Sequence, residues 1–146
     1  MTTLRTHLEE RGFERIPLKK LTTGHYTLLV TINGILGEFI LDTGASTSCI
    51  GSSDASFFGL ISVKSEVKAA GAGALNMETH SAISKRVTIG AIQFSNYPFV
   101  VFDLIHVNQA LLETNEKPVK GILGADILKK LHAVIDYGRN CVYFKT

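Results

Sequence analysis

The chain has no tryptophan, three prolines and two cysteines in 146 residues. So little cysteine excludes a disulfide-stapled scaffold, and Cys49 and Cys141 stand in no C-x-x-C or other metal-ligand spacing. Two reduced, partly buried thiols are expected, with a single disulfide as the alternative. The five histidines (His7, His25, His80, His106, His132) show no paired ligand spacing, so no metal is expected. A strong charge of one sign is missing as well. The formal net charge is +2, and Lys19-Lys20 and Lys129-Lys130 are isolated pairs. Without a dense basic stripe, no nucleic-acid partner is expected. Residues 1–20 are charged throughout and hold no apolar run long enough for a signal peptide or a membrane helix. A cytoplasmic protein with no membrane partner is therefore expected.

Apolar residues make up 45% of the chain, enough for the core of one domain and too many for a disordered chain. Two segments are expected: an N-terminal arm over residues 1–23 and one folded domain over residues 24–146. The arm suits a short helix within Thr2 to Arg15, and Pro17 ends it. From Tyr26 the texture turns β-rich. Tyr26 to Asn33 and Ile35 to Leu41 flank Asn33-Gly34, the dipeptide of a tight hairpin turn. Ser52 to Phe58 reads as a capped helical turn closed by Gly59. Further strands are expected within Leu60 to Lys68, on to Ile89, and over Ile92 to Val101, with turns at glycines. Asp103 to Glu113 reads equally as a helical turn or a loop. Val119 to Leu123 suits a buried strand, Ile127 to Leu131 a short helix, and Ala133 to Phe144 a closing hairpin. Many short strands with few helices indicate an all-β barrel or sandwich.

The sharpest chemical signal is Phe39-Ile40-Leu41-Asp42-Thr43-Gly44-Ala45-Ser46. A carboxylate directly after buried apolar residues must leave the core or be held by its neighbours. Gly44 lets a backbone N–H approach that carboxylate with no side chain in the way. Thr43 and Ser46 offer hydroxyls to the turn. The Asp-Thr-Gly tripeptide alone is weak evidence, because surface turns carry it by chance. Asp103, Asp126 and Asp136 also follow apolar residues, but none precedes Thr-Gly or Ser-Gly. Asp126 is expected to cap the short helix, and Cys49 to be a small buried thiol.

Three further parts stand in a telling order: the Tyr26 to Leu41 hairpin, the small-residue stretch Ala70-Gly71-Ala72-Gly73, and Gly121-Ile122-Leu123-Gly124 followed by Ala125-Asp126-Ile127-Leu128. With these, residues 24–146 resemble the retropepsin-like aspartic proteases, which include retroviral proteases and small bacterial relatives. The resemblance implies an all-β fold: a small closed acid-protease barrel with one short helix after Gly121-Ile122-Leu123-Gly124, two copies forming one active site. It implies Asp42 as the catalytic residue and Thr43, Gly44, Ala45 and Ser46 as its loop. It further implies Ala70, Gly71, Ala72 and Gly73 as a substrate-covering flap, and Ile122, Leu123 and Gly124 as support beneath the loop. The implied activity is that of an aspartic endopeptidase, with no cofactor or metal. Its partners would be a second copy of itself and a peptide or protein substrate. Retroviral relatives pair an acidic residue with an arginine where this chain has Ser46 and Ala125. Both charges are missing together, so neither is left unpaired. The alternative is an inactive module that keeps the fold for peptide binding or dimerisation.

Overall fold

The structure, a computed structural model, describes residues 2–64, 69–71, 74–77 and 80–146. Thr3 starts helix α1 (Leu4–Glu10) by accepting the Thr6 N–H on its hydroxyl at 3.1 Å, and Leu8 is buried beneath that helix. Two short strands follow, β1 (Glu14–Pro17) and β2 (Lys19–Lys20), and then the main hairpin, β3 (Tyr26–Ile32) and β4 (Ile35–Leu41). Its turn residues Asn33 and Gly34 have φ values of 52° and 83°, the left-handed pair that matches the twist of the flanking strands.

Strand β5 (Cys49–Gly51) leads into residues 52–59, expected as a helical turn. They form a run of tight turns instead of a helix, ending at Gly59 with φ of 70°. Next come β6 (Val63–Lys64), β7 (Ala69–Gly71) and β8 (Ala74–Met77), then the long hairpin β9 (His80–Ile89) and β10 (Ile92–Phe102). β7 and β8 pair antiparallel, Ala69 with Met77 and Gly71 with Ala74. Of the flap residues named from the sequence, Ala70 and Gly71 lie on β7, while Ala72 and Gly73 lie outside the described residues. The segment that read equally as helix or loop is helix α2 (Ile105–Glu113). The chain then runs through β11 (Gly121–Leu123), helix α3 (Ala125–Lys130), β12 (Val134–Asp136), one 3-10 turn at Tyr137–Arg139, and β13 (Cys141–Phe144).

Six strands close into a barrel in the order β3-β4-β11-β5-β10-β9, and β9 returns to β3 through Thr31–Thr88 and Ile32–Val87. Asn33 extends that closure beyond the strand. Its side-chain oxygen accepts the N–H groups of Lys85 and Arg86 at 3.0 and 3.2 Å, and its amide donates to the Phe58 carbonyl at 3.1 Å. Pro98 sits where β10 pairs only with β9, before β5 joins at Val100, so its missing N–H leaves no ladder bond unmade on that side.

A second, three-stranded sheet has the order β1-β13-β12. It ties the first residues of the chain to the last: Glu14 pairs with Phe144 and Pro17 with Cys141. β2 joins the barrel sheet beside β3. Residues 14–20 of the expected arm are thus paired on both sheets.

The main core fills the barrel, with Val30, Ile32, Phe39, Ile50, Phe58, Phe99 and Leu123 fully or almost fully buried. A second core holds Ile40, Cys49, Ile122 and Val119 against Leu104 and Leu111 from α2 and its lead-in. Both cysteines are buried and free. Among the described residues, no helix is long and apolar enough to cross a membrane.

Candidate active site

The site is built on β4 and β11, parallel neighbours in the register Phe39–Gly121, Ile40–Ile122 and Leu41–Leu123. Side chains alternate along each strand. Phe39 and Leu123 therefore enter the main core, while Ile40 and Ile122 enter the second core. Both strands are covered on both faces, which is why they read as continuous apolar runs. At position 121 a Cβ would run into the Cys49 carbonyl and the Phe39 ring, so only glycine lets β11 lie this close to its neighbours.

Just past Leu41 the chain leaves the sheet at Asp42. The Asp42 N–H still bonds to the Leu123 carbonyl at 2.9 Å, which fixes the start of the loop to β11. The Gly44 N–H donates to Asp42 Oδ1 at 2.9 Å, and the Ala45 N–H donates to the Asp42 carbonyl at 3.2 Å. The loop thus folds back on its own carboxylate. Asp42 is half-buried, while Thr43, Gly44, Ser46 and Thr47 are exposed. Among the described residues, Gly44 supplies the one hydrogen bond that the Asp42 carboxylate accepts.

The floor of the loop comes from the start of α3. The Ala125 N–H donates to the Ala45 carbonyl at 2.7 Å, and the buried Gly124 N–H donates to Ser48 Oγ at 2.8 Å. A Cβ on Gly124 would stand 2.6 Å from the Ala45 carbonyl oxygen and 3.1 Å from the Thr47 backbone, so the fit depends on a bare Cα. Asp126, expected as a helix cap, does other work. Gly124 holds the cap position, with no side-chain bond. Asp126 Oδ1 accepts both the N–H and the hydroxyl of Ser48, at 2.8 and 2.7 Å, and Oδ2 accepts the Tyr97 hydroxyl at 2.5 Å. A carboxylate with three donors is well satisfied where it is. Burial, and then the bond to Asp126, push the Tyr97 hydroxyl pKa up, so it stays a donor.

The residues singled out from the sequence therefore meet in part. Asp42 to Ser46 and Ile122 to Gly124 form one hydrogen-bonded unit with Leu123 and Ala45 as its junctions. Ser48, Tyr97 and Asp126 were missed as a group. Ser48 and Asp126 lie 78 positions apart, and only the adjacency of Asp126 to Gly124-Ala125 gave any signal. Cys49, next to Ser48, is no nucleophile: burial pushes its thiol up to about 12 from an ordinary 9.0. Among the described residues, no group of three or more His, Cys, Asp or Glu side chains could hold a metal ion.

Asp42 opens into a shallow cleft of about 470 Å³, whose lining includes Lys20, His25, Tyr26, Thr43 and Tyr137. Thr43 also borders a second cleft of about 450 Å³ with Ala125, Leu128, Lys129, His132, Ala133 and Ile135. A larger cleft of about 990 Å³ lies elsewhere, between the Asn33-Gly34 turn and β9, and does not include Asp42. Among the described residues, then, the Asp42 carboxylate lies in an open cleft and not in an enclosed pocket.

Solved structures share this architecture. A retropepsin-like aspartic protease from Rickettsia conorii superposes with a TM-score of 0.60 at 18% identity, covering 91% of this chain and 88% of that one. EIAV protease complexed with the inhibitor HBY-793 superposes with a TM-score of 0.57 at 26% identity, over 75% of this chain and 90% of that one. The retroviral protease-like domain of Ddi1 from Leishmania major gives 0.53 at 19% identity, over 81% and 86%. No curated protein matches the chain. The fold and the Asp42 loop define a retropepsin-like molecule, a closed β barrel with few short helices. Residues 28–127 match the family model described as aspartyl protease, and the chain belongs to that family, which is one of peptidases.

Proposed function

We propose that the chain is one half of an aspartic endopeptidase, in which Asp42 from each of two identical copies faces the other across a two-fold axis. The observation that carries this reading is the state of the Asp42 carboxylate. It is held from one side by its own loop and faces an open cleft on the other, which among the described residues is not enclosed. These 146 residues hold one Asp-Thr-Gly, and in this reading a second copy supplies the second carboxylate.

Two carboxylates this close cannot both ionise, so the pair shares a proton and titrates in two steps. The ionised member takes a proton from a water molecule held between them. That water attacks the peptide carbonyl, while the protonated member donates a hydrogen bond to the carbonyl oxygen. The proton taken from water then passes to the leaving amine. The Gly44 N–H keeps each carboxylate in the plane of its loop, and Thr43 reaches toward the opposite loop. Ala70 to Gly73 serve as a flap, under which an extended substrate pairs with backbone as an added strand. The mechanism calls on no cofactor and no metal. Two buried free thiols suit work in a reducing compartment such as the cytoplasm.

The test is a peptide-library assay between pH 4 and 7 with wild type and Asp42→Asn at several protein concentrations. Cleavage that rises more steeply than linearly with enzyme, and vanishes in the variant, is expected. Tight peptide binding with no cleavage under any condition would instead make the chain a binding module.

A further inference from the structure

The cleft of about 990 Å³ beside the Asn33-Gly34 turn does not include Asp42, and the proposed mechanism makes no use of it. Its backbone is the outer edge of β9, which is paired at both ends and open in the middle. β6 takes His80 and Ser81, β3 takes Val87 and Thr88, and among the described residues no strand lies beside Ala82 to Ser84 on that edge. An open stretch of strand edge is a template for an added strand.

Two kinds of side chain surround the gap. Ile61, Ile83 and Val63 are apolar yet 84%, 64% and 58% exposed, and all three line the cleft. Lys85 and Arg86 line it as well, and no carboxylate does among the described residues. A break in the alternation of β9 sets these two cations side by side. Ala82 and Ser84 are buried, and so are Val87 and Ile89, which leaves Lys85 and Arg86 as two successive exposed residues. Asn33 pins the break, because its Oδ1 accepts both of their N–H groups at 3.0 and 3.2 Å. Among the described residues neither cation has a carboxylate partner.

We propose that this cleft docks an extended acidic and apolar segment of a protein substrate, remote from the bond that is cut. The segment pairs its backbone with Ala82 to Ser84, sets apolar side chains on Ile61, Val63 and Ile83, and brings carboxylates to Lys85 and Arg86. The proposal rests on the endopeptidase reading above and adds a substrate class to it. β6 and β9 stand directly before and after the strands of the proposed flap in sequence, so two walls of the cleft are the roots of that flap. A substrate held under the flap is therefore the chain nearest to the cleft. Docking there selects substrates by a stretch that the shallow Asp42 cleft does not read.

Binding is read first on the Asp42→Asn chain, so that the probe is not cut. The probe is a fluorescein-labelled octapeptide of alternating Glu and Val, followed by anisotropy. It is expected to bind, and its counterpart of alternating Lys and Val is not. Lys85→Glu combined with Arg86→Glu should weaken binding by about tenfold or more. Both side chains are exposed, so the melting temperature of this double variant should match wild type. In a second arm, a peptide that wild type cleaves is joined to the octapeptide through a Gly-Ser linker. KM is expected to fall by about tenfold with kcat unchanged. The double variant should lose that gain while cleaving the bare peptide as wild type does. Absent binding, binding that the double variant leaves unchanged, or a KM gain that it retains overturns the docking site and leaves the shared Asp42 site standing. Binding without a KM gain overturns a substrate as the occupant. Binding alongside no cleavage of any peptide by wild type overturns the endopeptidase reading, and the substrate as occupant with it.

Discussion

Asp42 and Asp126 stand just past neighbouring parallel strands, β4 and β11, and both are half-buried. Among the described residues, one accepts a single hydrogen bond from its own loop, and the other accepts three from distant residues. The difference separates a carboxylate kept available from a carboxylate used as a rivet. Asp126 joins the loop, α3 and β10 through Ser48 and Tyr97. Asp42 is carried by that rivet through Gly124, Ala125 and Leu123, and in the proposed mechanism its remaining lone pairs take a proton and a water molecule. Rigid support with an unsaturated reactive group is how a fold preorganises an acid–base site.

The comparison can be broken first at Asp42. Asp42→Asn should lower cleavage by about 10³-fold, within the range of general acid–base effects. Its melting temperature should stay close to wild type, because the Asn oxygen can still accept the Gly44 N–H. A large loss of stability in that variant would mean that Asp42 is structural. Asp126→Ala should do the reverse in equilibrium denaturation. It leaves Ser48 and Tyr97 unpaired and should cost about 3 kcal/mol. If this variant unfolds at the wild-type midpoint, Asp126 is no rivet.

Gly124→Ala sharpens the same point without touching either carboxylate. The new Cβ meets backbone that cannot swing aside, and a cost of about 2 kcal/mol is expected from denaturant midpoints. Cleavage should fall further than stability alone explains, because the clash is with the carbonyl of Ala45 beside Asp42.

Cys49 offers a pH test of the packing under the site. Its thiol pKa is raised in the fold, so burial of the neutral form stabilises fully below pH 9.0, and that contribution is lost as pH rises toward about 12. Unfolding midpoints should therefore fall between pH 8 and pH 10.5, and fall less in Cys49→Ala. An equal fall in both would place the effect elsewhere. The smallest change expected is in Tyr97→Phe, which removes one of the three donors to Asp126 and should cost about 1 kcal/mol.

What could be read from the chain was whatever is local. The Asn33-Gly34 hairpin, the turn at Gly90, the short helix after Gly124 and the closing hairpin are each decided by residues a few positions apart. Two buried faces made Phe39 to Leu41 and Ile122-Leu123 legible as strands. Partners far apart in sequence were not legible. β1 meets β13 across most of the chain, β5 and β10 pair in parallel, and Asn33 closes the barrel onto β9 with its side chain. Local capping rules misread two places. Ser52 to Gly59 has the residues of a capped helix but settles as turns, with the Phe58 ring buried in the core. Asp126 stands in the first turn of α3, but Ser48 and Tyr97 claim its carboxylate. At the site itself, the order of motifs located the loop and its floor, while the polar network beneath them had no pattern to announce it.

The central claim is that one Asp42 is half of a site, and subunit mixing tests it most directly. Wild-type chain held at fixed total protein is blended with increasing Asp42→Asn, with time allowed for subunits to exchange. If two Asp42 residues are needed, activity follows the square of the wild-type fraction, and an equal blend retains about a quarter of the full rate. Activity that falls only in proportion to the wild-type fraction would mean that a single chain carries a complete site.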